Sequence, residues 1–128
     1  MMLIRVRVGS SPIHGLGVFT VEPLRAGTPI WRFQPGFDQV FSPAAFDALP
    51  ARAREHLRWF GYLRADDRGW VLSGDHACFM NHAPQPNTGA GNFAGPDVTT
   101  VALHDIAAGQ ELTCDYHAFD AAAADKGV

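Results

Sequence analysis

Leu103-His104-Asp105-Ile106-Ala107-Ala108-Gly109-Gln110-Glu111-Leu112-Thr113-Cys114-Asp115-Tyr116 carries a turn at Ala107-Ala108-Gly109 into a β-favouring run at 111–114 that ends on a phenol. A tyrosine at the end of a strand is held by a rigid element and can be aimed into a cleft, although the same position also serves for packing or capping. A further strand is expected just upstream, at 99–103. Before it, Phe79-Met80-Asn81-His82-Ala83-Pro84-Gln85-Pro86-Asn87 runs an apolar pair into an amide, an imidazole and two prolines. Asn81 offers a donor and an acceptor, and Pro84 and Pro86 hold the backbone extended. That combination suits recognition of a polar small molecule at a chain crossing, or an ordinary Asn/Pro-rich loop. His76, Cys78 and His82 lie close together but lack a fourth ligand and a paired spacing, so no metal is expected.

Toward the N-terminus, His14-Gly15-Leu16-Gly17-Val18-Phe19 places two glycines one residue apart before a β-rich run. Glycine there lets backbone pass close to a ligand, and equally makes a plain turn; without a third glycine or a helix start it is no dinucleotide fingerprint. Met2, Ile4, Val6 and Val8 alternate with Leu3, Arg5 and Arg7, the period of an edge strand, and short strands are expected at 17–21 and 29–33. Ser42-Pro43 reads as an N-cap and first-turn pair, with Pro50 interrupting and Ala53, Leu57 and Phe60 forming an apolar stripe. A helical insert is therefore expected over about 42–60. Asp66-Asp67-Arg68-Gly69 predicts a hairpin turn with Gly69 at positive φ, and the tail from Ala121 is expected to be loosely held.

A chain of 128 residues, 47% hydrophobic and 18% charged, supports one core, so residues 1–128 are read as one domain, mainly β with several small sheets. Its formal charge of -3 speaks against direct nucleic-acid binding and for a basic partner, if any. No run approaches the roughly 20 apolar residues that span a bilayer, so no membrane partner is expected. Two cysteines are too few for a disulfide scaffold. These features fit a cytoplasmic protein, or one exported as an effector.

Taken together, the segments 14–19, 79–82 with Pro86-Asn87, and 105–116 resemble the three signature segments of the SET domain family, a likeness that covers about residues 12–119. The resemblance implies a SET fold of small β-sheets with a pseudoknot, and S-adenosylmethionine-dependent methylation of a lysine in a basic segment of a protein or peptide. It implies that Gly15, Leu16 and Gly17 give backbone contacts to the methionine end of the cofactor. Asn81 and His82 would hold its amino group and adenine, and Tyr116 would be the active-site phenol. Tyr62 becomes a candidate for binding the cofactor or lining the lysine pocket, beside its simpler reading as a half-buried hairpin residue.

The chain also departs from the family pattern. Ala83-Pro84 stands where Ser-Cys is common, and the cysteine-rich zinc module is missing, so closure of the adenine side is expected from elsewhere. The candidate is the tail 117–128, beside the alternative that it closes the core or a dimer contact. Phe119 is its only aromatic downstream of Tyr116. At the position two before that tyrosine, which in the family tunes how many methyl groups a lysine receives, stands Cys114 in the substrate pocket. A small thiol leaves room for di- or trimethylation, or simply packs beneath Tyr116. A homodimer shielding apolar surface is a further expected partner arrangement. The alternative functional class is a catalytically silent SET-like binding module.

Overall fold

A computed structural model describes residues 1–91 and 99–128. In chain order it contains β1 (Val6–Ser10), β2 (Leu16–Thr20), β3 (Pro29–Arg32), β4 (Gln39–Phe41), α1 (Pro43–Asp47), α2 (Ala51–Phe60), β5 (Tyr62–Leu63) and β6 (Trp70–Leu72). There follow β7 (Asn81–His82), β8 (Thr88–Ala90), β9 (Thr99–Ala102) and β10 (Glu111–Cys114), with short 3-10 turns at His76–Phe79, Tyr116–Ala118 and Ala123–Lys126.

The strands form three small sheets, ordered β1-β2-β10-β7, β3-β9-β8 and β4-β6-β5. The first one places the site. β10 lies between β2, with which it is antiparallel, and β7, with which it is parallel through Thr113 opposite Asn81 and Cys114 opposite His82. A parallel pair needs a long crossover, and here it runs through β8 and β9. The 81–88 chain wraps β10 as it passes. Asn87 Oδ1 accepts from Thr113 N at 2.8 Å, Asn87 Nδ2 donates to Glu111 O at 2.8 Å, and Thr88 Oγ1 donates to Thr113 O at 2.7 Å. This threading is the knot-like crossing that the sequence resemblance implied.

Two apolar clusters hold the sheets together. Val18, Ile30, Met80, Ile106, Leu112 and Cys114 belong to the first, under β2 and β10. Phe46, Leu57, Leu63, Trp70 and Ala122 make the second, where the rings of Phe46 and Trp70 stack at 5.3 Å. Ser42 caps α1 as expected, its Oγ accepting from Ala45 N. The apolar stripe of α2 is narrower than its spacing predicts: Leu57 is buried, but Phe60 lies at the edge, 38% exposed, against Phe79.

Three expectations are corrected. Positive φ in the β5–β6 turn falls on Arg68 (φ 59) and not on Gly69, because Asp67 accepts from Gly69 N and from the Arg64 guanidinium and so fixes the turn one residue earlier. The N-terminal strand starts at Val6, and Met2 makes only an isolated bridge to Trp31. The tail is anchored, not loose. Ala122 and Ala123 are buried, Ala121 N donates to Leu63 O, and Asp120 Oδ1 accepts from Leu63 N and Ala122 N. The second cluster lacks a lid until these small residues cover it.

Gly61 joins α2 to β5 where no side chain fits, since a Cβ there would meet the carbonyl oxygens of Val71 at 2.7 Å and Leu57 at 2.8 Å. Both obstacles are backbone. Gly61→Ala is expected to cost about 1–3 kcal/mol of stability, read as a lower urea midpoint at unchanged slope. An unchanged midpoint would show that the junction yields without strain.

Candidate active site

β10 ends at Cys114, and the turn that follows at once places Tyr116 over the ends of β7 and β10. Asp115 caps that turn by accepting from His117 N. Tyr116 N donates to His82 Nδ1 at 3.2 Å, so the geometry gives His82 a bare Nδ1 and leaves the ring proton on Nε2. The Tyr116 hydroxyl donates to Met80 O at 2.6 Å. One segment distant in sequence, 80–82, thus fixes Tyr116 at its backbone and at its tip.

Burial raises the pKa of Tyr116 well above the ordinary tyrosine value, with the nearby Cys114 and Asp120 adding to the effect, and it lifts Tyr62 to about 12. The phenol is neutral at physiological pH and is no base there. Cys114 is buried with its thiol toward Asn81 O at 3.9 Å, and desolvation pushes it up to about 12. It packs in the first cluster together with Tyr116.

Asn81 is the organising residue. Its Nδ2 faces three oxygens, His14 O at 3.1 Å, Leu16 O at 2.9 Å and Glu111 Oε1 at 2.9 Å, which fixes the amide orientation without ambiguity. The Glu111 carboxylate also accepts from Ser11 Oγ at 2.8 and 2.9 Å, and Ser11 Oγ in turn accepts from Ile13 N. The glycine loop is therefore strapped to β7 and β10. Gly17 is glycine because of this strap: a Cβ would sit 2.2 Å from Glu111 Oε1. Gly15, at φ +47, has nothing within 4 Å of its missing Cβ, so its backbone borders open space. Leu16 beside it is exposed.

The other expected residues gather around the ring of Tyr116. Phe119 lies edge-on to Tyr62 at 5.2 Å and to Tyr116 at 6.1 Å, and is 40% exposed. Tyr62 also edges onto Trp31. His82 neighbours the rings of Tyr116 and His117. Sequence reasoning missed Glu111, Met80 and Asp120 as partners of the site. Glu111 stood in the quoted run, but nothing in its spacing told that it would face Gly17. Among the described residues no group of three His, Cys, Asp or Glu side chains is disposed to hold a metal. Two open depressions, one lined by Leu24, Arg25 and Asp105 and one by His56, Trp59 and Phe60, lie apart from Tyr116.

The residues fit a sulfonium nucleoside amino acid. Among the described residues Asn81 Oδ1 accepts no hydrogen bond and is not sealed in, so an acceptor is free for an ammonium group. Gly15 offers bare backbone, and His82 and Phe119 offer aromatic surface.

Comparison with known proteins bears on the family and the fold. The family model described as the SET domain matches residues 15–117. A Plasmodium falciparum crystal structure, described as a candidate histone methyltransferase, is similar at TM-score 0.61 and 20% identity, over 90% of this chain and 95% of that one. An inhibitor-bound, humanized mutant of the Chaetomium thermophilum Polycomb Repressive Complex 2 is similar at TM-score 0.66 and 25% identity over 94% of this chain, which spans 16% of that one. An apo ctPRC2 with two mutations in Ezh2 gives TM-score 0.68 at 19% identity, over 96% of this chain and 16% of that one, a likeness of fold. No curated protein matches.

A protein with its only two tyrosines so buried should show little phenolate in an absorbance titration below about pH 11 while folded. Because the folded pKa values exceed the unfolded value near 10.0, the unfolded chain releases protons first, and stability should fall as pH rises above about 10. Full ionisation at pH 10 in the folded state would contradict this burial.

Proposed function

The chain belongs to the SET domain family, and from that footing we propose that it is a protein-lysine methyltransferase using S-adenosylmethionine. The observation that carries the proposal is one neutral phenol, Tyr116, whose hydroxyl donates to Met80 O and whose backbone N–H donates to His82, at the place where the strapped glycine loop meets β7 and β10. When bound, S-adenosylmethionine supplies a methyl group on a sulfonium, an electrophile toward an amine.

The chain's own residues bind and align. Backbone at Gly15, Leu16 and Gly17 takes the methionine end, and Asn81 Oδ1 takes its ammonium. His82 and the exposed face of Phe119 take the adenine. Tyr62 and Cys114 line the acceptor pocket with Tyr116. The Tyr116 oxygen donates its proton to Met80 O and keeps lone pairs that favour positive charge. It cannot take a proton from the acceptor, which must arrive as a free amine after losing its proton to water. What remains to the protein is alignment, and alignment in a closed site is worth several orders of magnitude in rate. The formal charge of -3 suits a basic segment around the target lysine.

Calorimetry with S-adenosylhomocysteine and a chelator, followed by transfer of labelled methyl to lysine-containing basic proteins, tests the reading. Binding without transfer would leave a silent module, and absence of binding would reject the proposal. Tyr116→Phe is expected to lower transfer by about two orders of magnitude while cofactor affinity stays within a factor of about two, because only the hydroxyl is lost. Turnover near the wild-type rate would remove Tyr116 from the mechanism. Exhaustive methylation of a peptide, followed by mass spectrometry, is expected to reach di- or trimethyllysine if the Cys114 pocket has the room a thiol leaves; arrest at one methyl, unchanged in Cys114→Ala, would take Cys114 out of product control.

A further inference from the structure

Lys126 is the one lysine in the sequence. It does not stand in solvent, where lysine belongs: its side chain is 8% exposed. Nζ donates to Gly61 O and to Asp120 Oδ2, each at 2.6 Å, and lies 5.4 Å from the centroid of the Tyr116 ring. Asp120 is itself buried and held from its other oxygen by Leu63 N and Ala122 N. Gly61 precedes Tyr62, and the cation is close enough to Cys114 to oppose the upward shift of its thiol. The amine therefore lies over the ring of Tyr116, within electrostatic reach of Cys114, and bonds the backbone of the residue next to Tyr62. A cation needed only to neutralise Asp120 could have been arginine, which supplies every other basic side chain of this protein.

We propose that Lys126 is a self-methylation site: the chain seats its own lysine amine in the acceptor pocket beside Tyr116. The proposal rests on the methyltransfer reading. An ammonium has three N–H groups, and two are engaged here, by Gly61 O and Asp120. Loss of the third proton to water leaves a lone pair on Nζ without giving up either bond. Nζ then forms its bond to the methyl carbon of the sulfonium donor while the carbon–sulfur bond breaks and its electron pair goes to sulfur. The donor becomes a neutral thioether, and the methylammonium product carries the positive charge. It retains two N–H groups for the same two acceptors. A second methyl would cost one of those bonds, so the internal product stops at monomethyllysine. An external lysine reaches Tyr116 only when the tail gives up this seat.

The full chain, incubated with S-adenosylmethionine and no other acceptor, is followed by intact-mass spectrometry. A gain of one methyl group is expected, at a first-order rate independent of protein concentration, and absent in Lys126→Arg, which retains a cation for Asp120. A gain that persists in that variant, or a rate that rises with concentration, overturns the proposal. So does an unmodified chain that methylates an external lysine peptide, and in that case the methyltransferase reading survives alone. Transfer to neither acceptor removes both readings. A second measurement needs no donor. With lysine labelled by carbon-13 at Cε the protein gives one signal, expected to be displaced by the ring current of Tyr116. A signal at the position of a solvent-exposed lysine would overturn the placement.

Discussion

One buried amide organises this molecule. Asn81 Nδ2 draws His14 O, Leu16 O and a Glu111 carboxylate oxygen to a single point, and Glu111 extends the node to Ser11. The partners come from positions as far apart as 11 and 111, so the node closes nearly the whole chain into one loop. An unmet polar group at such a site costs about 1–3 kcal/mol, which makes the node all-or-none: each member keeps the others satisfied. Its consequences spread outward from there. Gly17 has to lack a side chain, the glycine loop is held against β7, and β10 is drawn in beside the same strand.

From that crossing the site follows with little freedom. β10 has run out at Cys114, its neighbour β7 at His82, and the chain turns directly into Tyr116. Met80 O, just before β7, accepts from the phenol, and the imidazole of His82 on β7 accepts from the Tyr116 backbone N–H. Anchoring at both ends restricts the hydroxyl before any ligand arrives, which is what the proposed methyl transfer by alignment would use. The same burial that holds the phenol keeps it protonated, so the role proposed for Tyr116 is to position and not to act as a base.

The second apolar cluster is small and stays incomplete until the C-terminal residues reach it. Ala122 and Ala123 pack there because they are small, and Asp120 takes two backbone N–H groups and an ammonium. Phe119, just before, bridges Tyr62 and Tyr116 edge to edge. The segment that covers the core thereby also brings Phe119 against the two tyrosines of the proposed site. In a domain this short, packing and function have to share residues.

Local rules determined much of this protein from the sequence. The cap at Ser42, the break at Pro50, the strands near β2, β3, β9 and β10 and the tyrosine at a strand end all follow from propensity and period, which act within a few residues. The order of three motifs pointed to the family and so to the crossing. What the sequence left open lies at long range. The two-residue β7 and three-residue β8 have no period to read, since they exist only because a distant strand supplies their hydrogen bonds. The role of Glu111, the need for glycine at 17 and the seat of Lys126 depend on side chains brought together across 30 to 100 positions. Polar and small residues of the tail, which composition marks as loose, became ordered because they meet a half-covered core. Hydrogen bonding and close packing are satisfied by whichever group arrives in space, and only the tertiary fold decides which one does.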